Sequence, residues 1–187
     1  MAEWAGRRAF GDVLAAARTG DEESFAEIWR WLHPPLVRWL RVVVSGDVED
    51  IESEAWLSIT RNLASFSGDE ADFRGWVFTI ARRRAIDWRR HRQRQLRVTD
   101  LDGVDVGDHA EACSPQTDTA AALAMLGTLT PEQREALALR VIVGMSVRET
   151  AAVLQRSEGA VRILCHRGLR TLSRQLASDR PVEGIAP

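Results

Sequence analysis

"FRGWVFTIARRRAIDWRRHRQRQ", residues Phe73–Gln95, carries one charge in its first nine positions and seven further arginines in the rest. Phe73, Trp76, Val77, Ile80 and Ala81 recur at the spacing that puts them on one face of a helix, while Arg82 with Arg89 and Arg83 with Arg90 repeat two turns apart. The front of this helix is expected to anchor in a core and its back to project as a cationic rod. From Phe73 to Arg97 nine arginines stand against Asp87 alone. Charges so close repel one another, and a facing polyanion relieves that repulsion while shedding its own condensed counterions. A nucleic acid, duplex or melted, is the economical partner. Trp88 in this helix has two readings, a platform for an unstacked base or a cap on the core.

Upstream the balance reverses. Between Val43 and Asp72 eight acids face Arg61 alone, so the formal net charge of −2 is an average of opposites. The 25 basic residues are all arginine, which fits a coding bias as well as a preference for a two-pronged phosphate and guanine ligand. Asp21 and Glu22 open an amphipathic run through Phe25, Ile28, Trp29 and Leu32, and Pro34-Pro35 are expected to reset the chain before Leu36, Trp39, Leu40 and Val43. A further helix is expected from about Val48 to Leu63, ending in the loop "SFSGDEAD", and a short one in "AFGDVLAAARTG" before Gly20. No segment alternates as a strand does, so the fold class is all-α.

Downstream, all seven Trp and all five Phe lie before Arg89, which implies two cores of different composition. Val98–Asp118 separates them, with six acids (Asp100, Asp102, Asp105, Asp108, Glu111 and Asp118), two glycines and no arginine, and reads as a linker. Thr130-Pro131-Glu132-Gln133 then has the grammar of a helix start, a capping Thr followed by Pro and a reciprocating Gln, with the helix running to about Val143. Gly144 breaks it. Ser146-Val147-Arg148-Glu149 repeats the capping box before a helix to Leu154, and another helix runs from Ser157 to about Leu176. Two helices joined by Gln155, Arg156 and Ser157, with small Ala151 and Ala152 in the first, fit a helix-turn-helix. In the last helix Val161, Leu164, Gly168, Leu172 and Leu176, with Leu169 beside them, are expected to pack inward. Arg162, Ile163, His166, Arg167, Arg170 and Arg174 face away, as a major-groove reader requires; Ile163 fits a thymine methyl or a neighbouring helix of the protein itself.

Several classes are set aside on composition. No run approaches the roughly 18 apolar residues of a membrane span, and the N-terminus lacks an apolar block with a cleavage site, so a cytoplasmic location is expected. Cys113 and Cys165 lie far apart with no paired Cys or His spacing, which indicates neither a disulfide framework nor a zinc site. No cofactor or metal is expected. The acids from Asp47 to Glu54 sit on one helix without His or Cys beside them and without a Gly-rich phosphate loop, so a metal-dependent nuclease does not fit and no catalytic residue is assigned.

"GDEESFAEIW", "DVEDIESEAWLSITRNLASF", "FRGWVFTIARRRAIDWRRHR" and "LTPEQREALALRVIVGMSVRETAAVLQRSEGAVRILCHRGLRTL", in this order and with an acidic stretch between the third and fourth, resemble a bacterial RNA polymerase sigma factor of the sigma-70 family, extracytoplasmic-function type. The resemblance runs from about Gly20 to Leu176. It implies an N-terminal extension with a short helix (1–19), a region 2-like helical bundle (20–97), a flexible acidic linker (98–119), a region 4-like helix-turn-helix domain (120–177) and a tail (178–187). By resemblance, Asp50, Ser53, Glu54, Leu57 and Ser58 meet the clamp helices of the polymerase's largest subunit. Phe66, Ser67, Arg82, Arg83, Trp88, Arg89, Arg90 and Arg92 take the minus-ten element, with a flipped base pocketed at Phe66 and Ser67. Arg148, Arg162, Ile163, His166, Arg167 and Arg170 take the minus-thirty-five element. Implied partners are core RNA polymerase, including the flap of its second-largest subunit, promoter DNA and an anti-sigma factor. The acidic stretch is either a filler of a basic RNA channel or a soluble spacer. The chain departs from the family pattern at Ser53-Glu54, where Gln and an acid are frequent, and at Ile163-Leu164, where Ser-Arg is common. The alternative is a free-standing helix-turn-helix regulator with a helical sensor or dimerisation domain.

Overall fold

The Asp21 side chain accepts a hydrogen bond from the Ser24 amide at 2.9 Å and so starts helix α2 (Glu22–Val43), the spine on which the N-terminal module is built. The structure, a computed structural model, describes residues 4, 6, 8–99 and 124–178, the side chains of 96–99 excepted. Helix α1 (Phe10–Arg18) precedes α2; α3 (Val48–Asn62), a 3-10 turn (Leu63–Ser65) and α4 (Glu70–Thr99) follow. The C-terminal module consists of α5 (Pro131–Leu137), a π-helical stretch (Ala138–Ile142), α6 (Val147–Leu154) and α7 (Glu158–Ser178). Among the described residues there is no strand, and no helix is long and apolar enough to cross a membrane. The acidic segment from Asp100 to Asp118, including Cys113, and the tail beyond Ser178 lie outside the described residues.

Pro34 and Pro35 do not reset the chain: α2 runs through both. A proline inside a helix costs about 3 kcal/mol, through a lost hydrogen bond and a clash with the carbonyl four residues back. Against that, Ile28, Leu32, Leu36, Trp39 and Leu40 form one stripe across the pair, and each is fully buried. At about 1.5–3 kcal/mol per buried side chain, breaking the stripe would cost more than keeping the prolines in it. Phe73, Val77, Phe78, Ala81 and Ala85 of α4 close this core from the other side, with the Trp39 and Phe78 rings edge to face at 5.7 Å.

In the C-terminal module both capping boxes form. The Gln133 amide donates to Thr130 Oγ1 at 3.3 Å, and the Glu149 amide to Ser146 Oγ at 3.1 Å, each with the reciprocal bond present. The helix expected to reach Val143 in one piece changes instead to π geometry at Ala138, and the Arg140 guanidinium donates to the Met145 carbonyl where Gly144 (φ +79°) turns the chain. Gly168 is required by proximity, since a Cβ there would lie 2.6 Å from the Leu137 side chain. Leu169 and Leu176, expected to pack inward, are 52% and 56% exposed. Leu169 falls one position off the stripe that Val161, Leu164, Cys165, Gly168 and Leu172 make. Leu176 lies one residue past Gln175, which the Thr128 hydroxyl reaches at 3.0 Å.

The two cores differ in composition as expected, aromatic in the first and aliphatic in the second, but they touch. Helix α4 packs on α6, and α2 packs on α5 and the π stretch.

Helix α6 ends at Gln155 in the left-handed region (φ 55°, ψ 46°), a conformation that disfavours a Cβ. Replacing Gln155 by Gly is expected to stabilise the C-terminal module by up to about 1 kcal/mol, and Gln155→Val to destabilise it, as read by urea unfolding followed by helical circular dichroism.

Candidate nucleic-acid interface

Each module presents a cationic helix face, and the same core that fixes the helix sets which arginines are available. On α4 the fully buried apolar stripe ends at Ala85, one turn before Arg89, and beyond it Trp88 is the aromatic side chain still packed on the bundle. Arg83, Arg90 and Arg94 are exposed; Arg84, Arg89 and Arg92 are half-buried. Arg92 lies over the Trp88 ring at 5.3 Å. The Trp88 indole is half-buried against the α2–α3 turn, where Gly46 (φ +108°) brings the backbone so close that a Cβ would stand 3.6 Å from the ring. Of the two readings of Trp88, the packed one describes its position.

Arg82, placed by resemblance with the promoter-facing set, points elsewhere. Its Nε donates to Glu135 Oε1 at 2.8 Å and its terminal nitrogen to Glu135 Oε2 at 3.3 Å, a two-pronged ion pair to the other module. Arg74, 8% exposed, does the same with Glu149, from Nε at 3.1 Å and from a terminal nitrogen on the same oxygen. Burial pushes the Glu149 carboxyl up, but hydrogen bonds from Ser146 and Arg74 outweigh it and hold the group below its ordinary value. None of Arg74, Glu135 and Glu149 was singled out as a contact from sequence; Glu149 was read only as a capping residue.

The loop between the 3-10 turn and α4 is tightly determined. Phe66 is buried between Phe73 and Trp76, with ring centroids 5.1 and 5.0 Å away, so its face is not open to a base; the exposed group of the pair is Ser67. A Cβ on Gly68 (φ +151°) would come within 2.7 Å of Asp72 and 3.0 Å of the Phe66 ring. Asp69 and Asp72 exchange bonds across the first turn of α4, the Asp72 amide donating to Asp69 at 2.9 Å and the Asp69 amide to Asp72 at 3.3 Å.

On α3, Ile51, Ala55, Trp56 and Ile59 are buried, which leaves Asp50, Ser53, Glu54 and Leu57 exposed on the opposite face and Ser58 half-buried at its edge. Leu57 is a single apolar spot, 56% exposed, on an acidic surface. On α7, Arg162, Ile163, His166, Arg167 and Arg170 are all exposed, and Arg162 pairs with Glu158 one turn before it at 2.7 Å. Arg148 is exposed on α6. Cys165 lies half-buried on the inner side of α7, where burial pushes the thiol up against the opposing pull of Arg140. It is therefore a poor nucleophile at neutral pH. No group of His, Cys, Asp and Glu among the described residues is arranged to hold a metal ion.

Residues 28–95 match the family described as Sigma-70 region 2, and residues 119–172 the family described as Sigma-70, region 4. Over 165 residues the chain is 32% identical to the ECF RNA polymerase sigma factor SigX of Bacillus subtilis, covering 83% of this chain and 84% of that one. With the ECF RNA polymerase sigma factor BldN of Streptomyces coelicolor it shares 30% identity over 174 residues, 90% of this chain and 66% of the relative. Among solved structures, CnrH in complex with the cytosolic domain of CnrY aligns with a TM-score of 0.70 at 27% identity, over 92% of this chain and all of that one (100%). The sigma factor RpoE in complex with the anti-sigma factor NepR from Bartonella quintana gives 0.67 at 26% identity, over 84% and 99%.

The Arg74–Glu149 pair makes a pH prediction. Glu149 has a lowered carboxyl pKa, so its contact with Arg74 is complete above the ordinary value of 4.5 and is lost as the pH falls through the lowered one. Small-angle scattering is expected to give a constant radius of gyration from neutral pH down to that value and a larger one below it. The double variant Glu135→Gln/Glu149→Gln, which keeps the α6 cap, is expected to be expanded already at neutral pH.

Proposed function

The chain belongs to the ECF RNA polymerase sigma factors of the sigma-70 family, and we propose how this promoter-specificity subunit of bacterial RNA polymerase divides its work between its two modules. The exposed face of α3, Asp50, Ser53, Glu54 and Leu57 with Ser58 at its rim, docks on the clamp helices of the largest subunit, the acids supplying charge and Leu57 the apolar contact. The Phe66–Asp72 loop and α4 take the minus-ten element. Arg83, Arg89, Arg90 and Arg92 line the phosphates, Ser67 meets the displaced base, and Phe66 supplies the buried wall that holds Ser67 in place. Arg82 joins this set only once it leaves Glu135.

The exposed face of α7 enters the major groove at the minus-thirty-five element. Arg162, His166, Arg167 and Arg170 supply donors, Ile163 the apolar contact, and Arg148 of α6 a phosphate contact. The C-terminal module also meets the flap of the second-largest subunit. Phosphodiester chemistry belongs to the polymerase, the protein works in the cytoplasm, and an anti-sigma factor is a partner, as RpoE has been solved in complex with one. The single observation that carries this reading is the pairing, in order, of two sigma-70 family matches with one exposed arginine face on each module.

The two elements are separated by about two and a half helical turns of duplex, on the order of 80 Å. A compact chain of 187 residues has a radius of gyration of about 16 Å, so docked modules cannot span both. Promoter engagement therefore parts Arg74 from Glu149 and Arg82 from Glu135, and the 24 residues from 100 to 123, at about 3.3–3.6 Å each when extended, are long enough to allow it.

Run-off transcription with core polymerase on a pool of genomic fragments tests the function: start sites that appear only when the chain is added support it, and their absence removes it. The double variant Arg83→Ala/Arg89→Ala is expected to weaken the promoter complex and to flatten its dependence on log salt by up to about two units of slope. An unchanged slope would remove α4 as the phosphate-facing element.

A further inference from the structure

The N-terminal extension, which lies ahead of the first family match at residue 28, is fastened to both ends of the Phe66–Asp72 loop. At one end Arg18, in the last turn of α1, donates from Nε at 3.3 Å and from a terminal nitrogen at 3.0 Å to the Ala64 carbonyl, in the 3-10 turn that leads into the loop. At the other end the Trp4 amide donates to Glu70 Oε1 at 2.9 Å, on the first residue of α4.

Between these ties runs a line of rings. Trp4 meets Phe10 edge to face at 5.6 Å, Phe10 meets Phe73 at 5.6 Å, and Phe73 meets Phe66 at 5.1 Å. The strap is itself anchored on α2, where Arg8 donates to Glu27 at 2.7 Å and to the Ser24 hydroxyl at 3.0 Å. Val13, Leu14 and Ala17 of α1 are buried in the bundle, so the helix that carries Arg18 is fixed independently of the bond Arg18 makes.

We infer that this strap positions the base-reading loop: Arg18 and Trp4 are positioning residues that hold the segment from Ala64 to Glu70 in the shape that sets minus-ten base preference. The inference rests on the assignment of that loop to the minus-ten element. The loop's own bonds run from the Phe66 amide to the Leu63 carbonyl at its entry and between Asp69 and Asp72 at its exit, and two further ties reach it from outside, one at Ala64 and one at Glu70. The strap supplies both. Because Arg18 bonds a backbone carbonyl on an exposed stretch, its loss changes the loop's distribution of shapes far more than the stability of the module.

The test uses the holoenzyme, full-length protein with core polymerase, and single-stranded oligonucleotides randomised across the minus-ten positions, with the selected pool sequenced. Arg18→Ala is expected to flatten the preference between best and worst base at the loop-contacted position by about tenfold, the size of one or two charge-assisted hydrogen bonds. Affinity for core polymerase and preference at the minus-thirty-five element should stay unchanged, and Arg18→Lys, which keeps one donor, should restore part of the loss. A merely structural role would weaken binding to every sequence alike. Glu70→Ala cuts the strap at its other end and decides the matter if Arg18→Ala does not fold. Ser67→Ala serves as the internal reference. If Ser67→Ala shifts the preference and neither strap variant does, the strap inference is overturned while the loop assignment stands. If none of the three shifts it, both are overturned.

Discussion

One helix has to be apolar enough to close a bundle and cationic enough to face a polyanion, and α4 meets both demands by putting them in succession along its length. Its first half, from Phe73 to Ala85, contributes five residues to the core and holds α2 and α3 together. Its second half is tied to the bundle chiefly through Trp88, held against the turn at Gly46. Were the arginines spread around the whole helix, burying any face would strand a guanidinium, at a cost of several kcal/mol per unpaired charge. The two arginines that do fall on packed faces, Arg74 and Arg82, each have a carboxylate waiting on the other module. The docking of the modules thus gives each of these two arginines its partner.

That docking also divides the protein's charges into two groups. Arg83, Arg89, Arg90 and Arg92 on α4, and the arginines of α7, reach solvent, where their charge acts at long range. Arg74 and Arg82 are neutralised inside the molecule, so the field seen by an approaching duplex is smaller than the arginine count suggests. Separation of the modules returns two cations to the first module and two anions to the second.

How far the sequence could be read depended on how local each signal was. The starts of α5 and α6 were legible because a capping box is complete within four residues, and Thr130 with Gln133 and Ser146 with Glu149 formed as written. The exposed face of α7 followed from helical spacing, and that of α3 from the family resemblance. Pro34-Pro35 misled because a local rule worth a few kcal/mol met a stripe of five buried side chains. Leu169 misled because it sits one position off the stripe, and Leu176 because periodicity says which residues align, not how far along the helix the packing extends. The π stretch at Ala138–Ile142 left no mark in the sequence pattern. The pairs Arg74–Glu149 and Arg82–Glu135 join residues 75 and 53 positions apart, and no window along the chain contains both partners.

Glu149 has two duties at once: one carboxylate oxygen receives the Ser146 amide and completes the first turn of α6, while the other receives Arg74. The helix-turn-helix therefore begins on the same group that ties it to the other module. A ligand with higher affinity for a freed second module must also accept a less braced α6, and a substitution that tightens this cap shifts the balance between joined and separated modules without touching the interface. Local helix order and module separation are in this way two readings of one thermodynamic cycle.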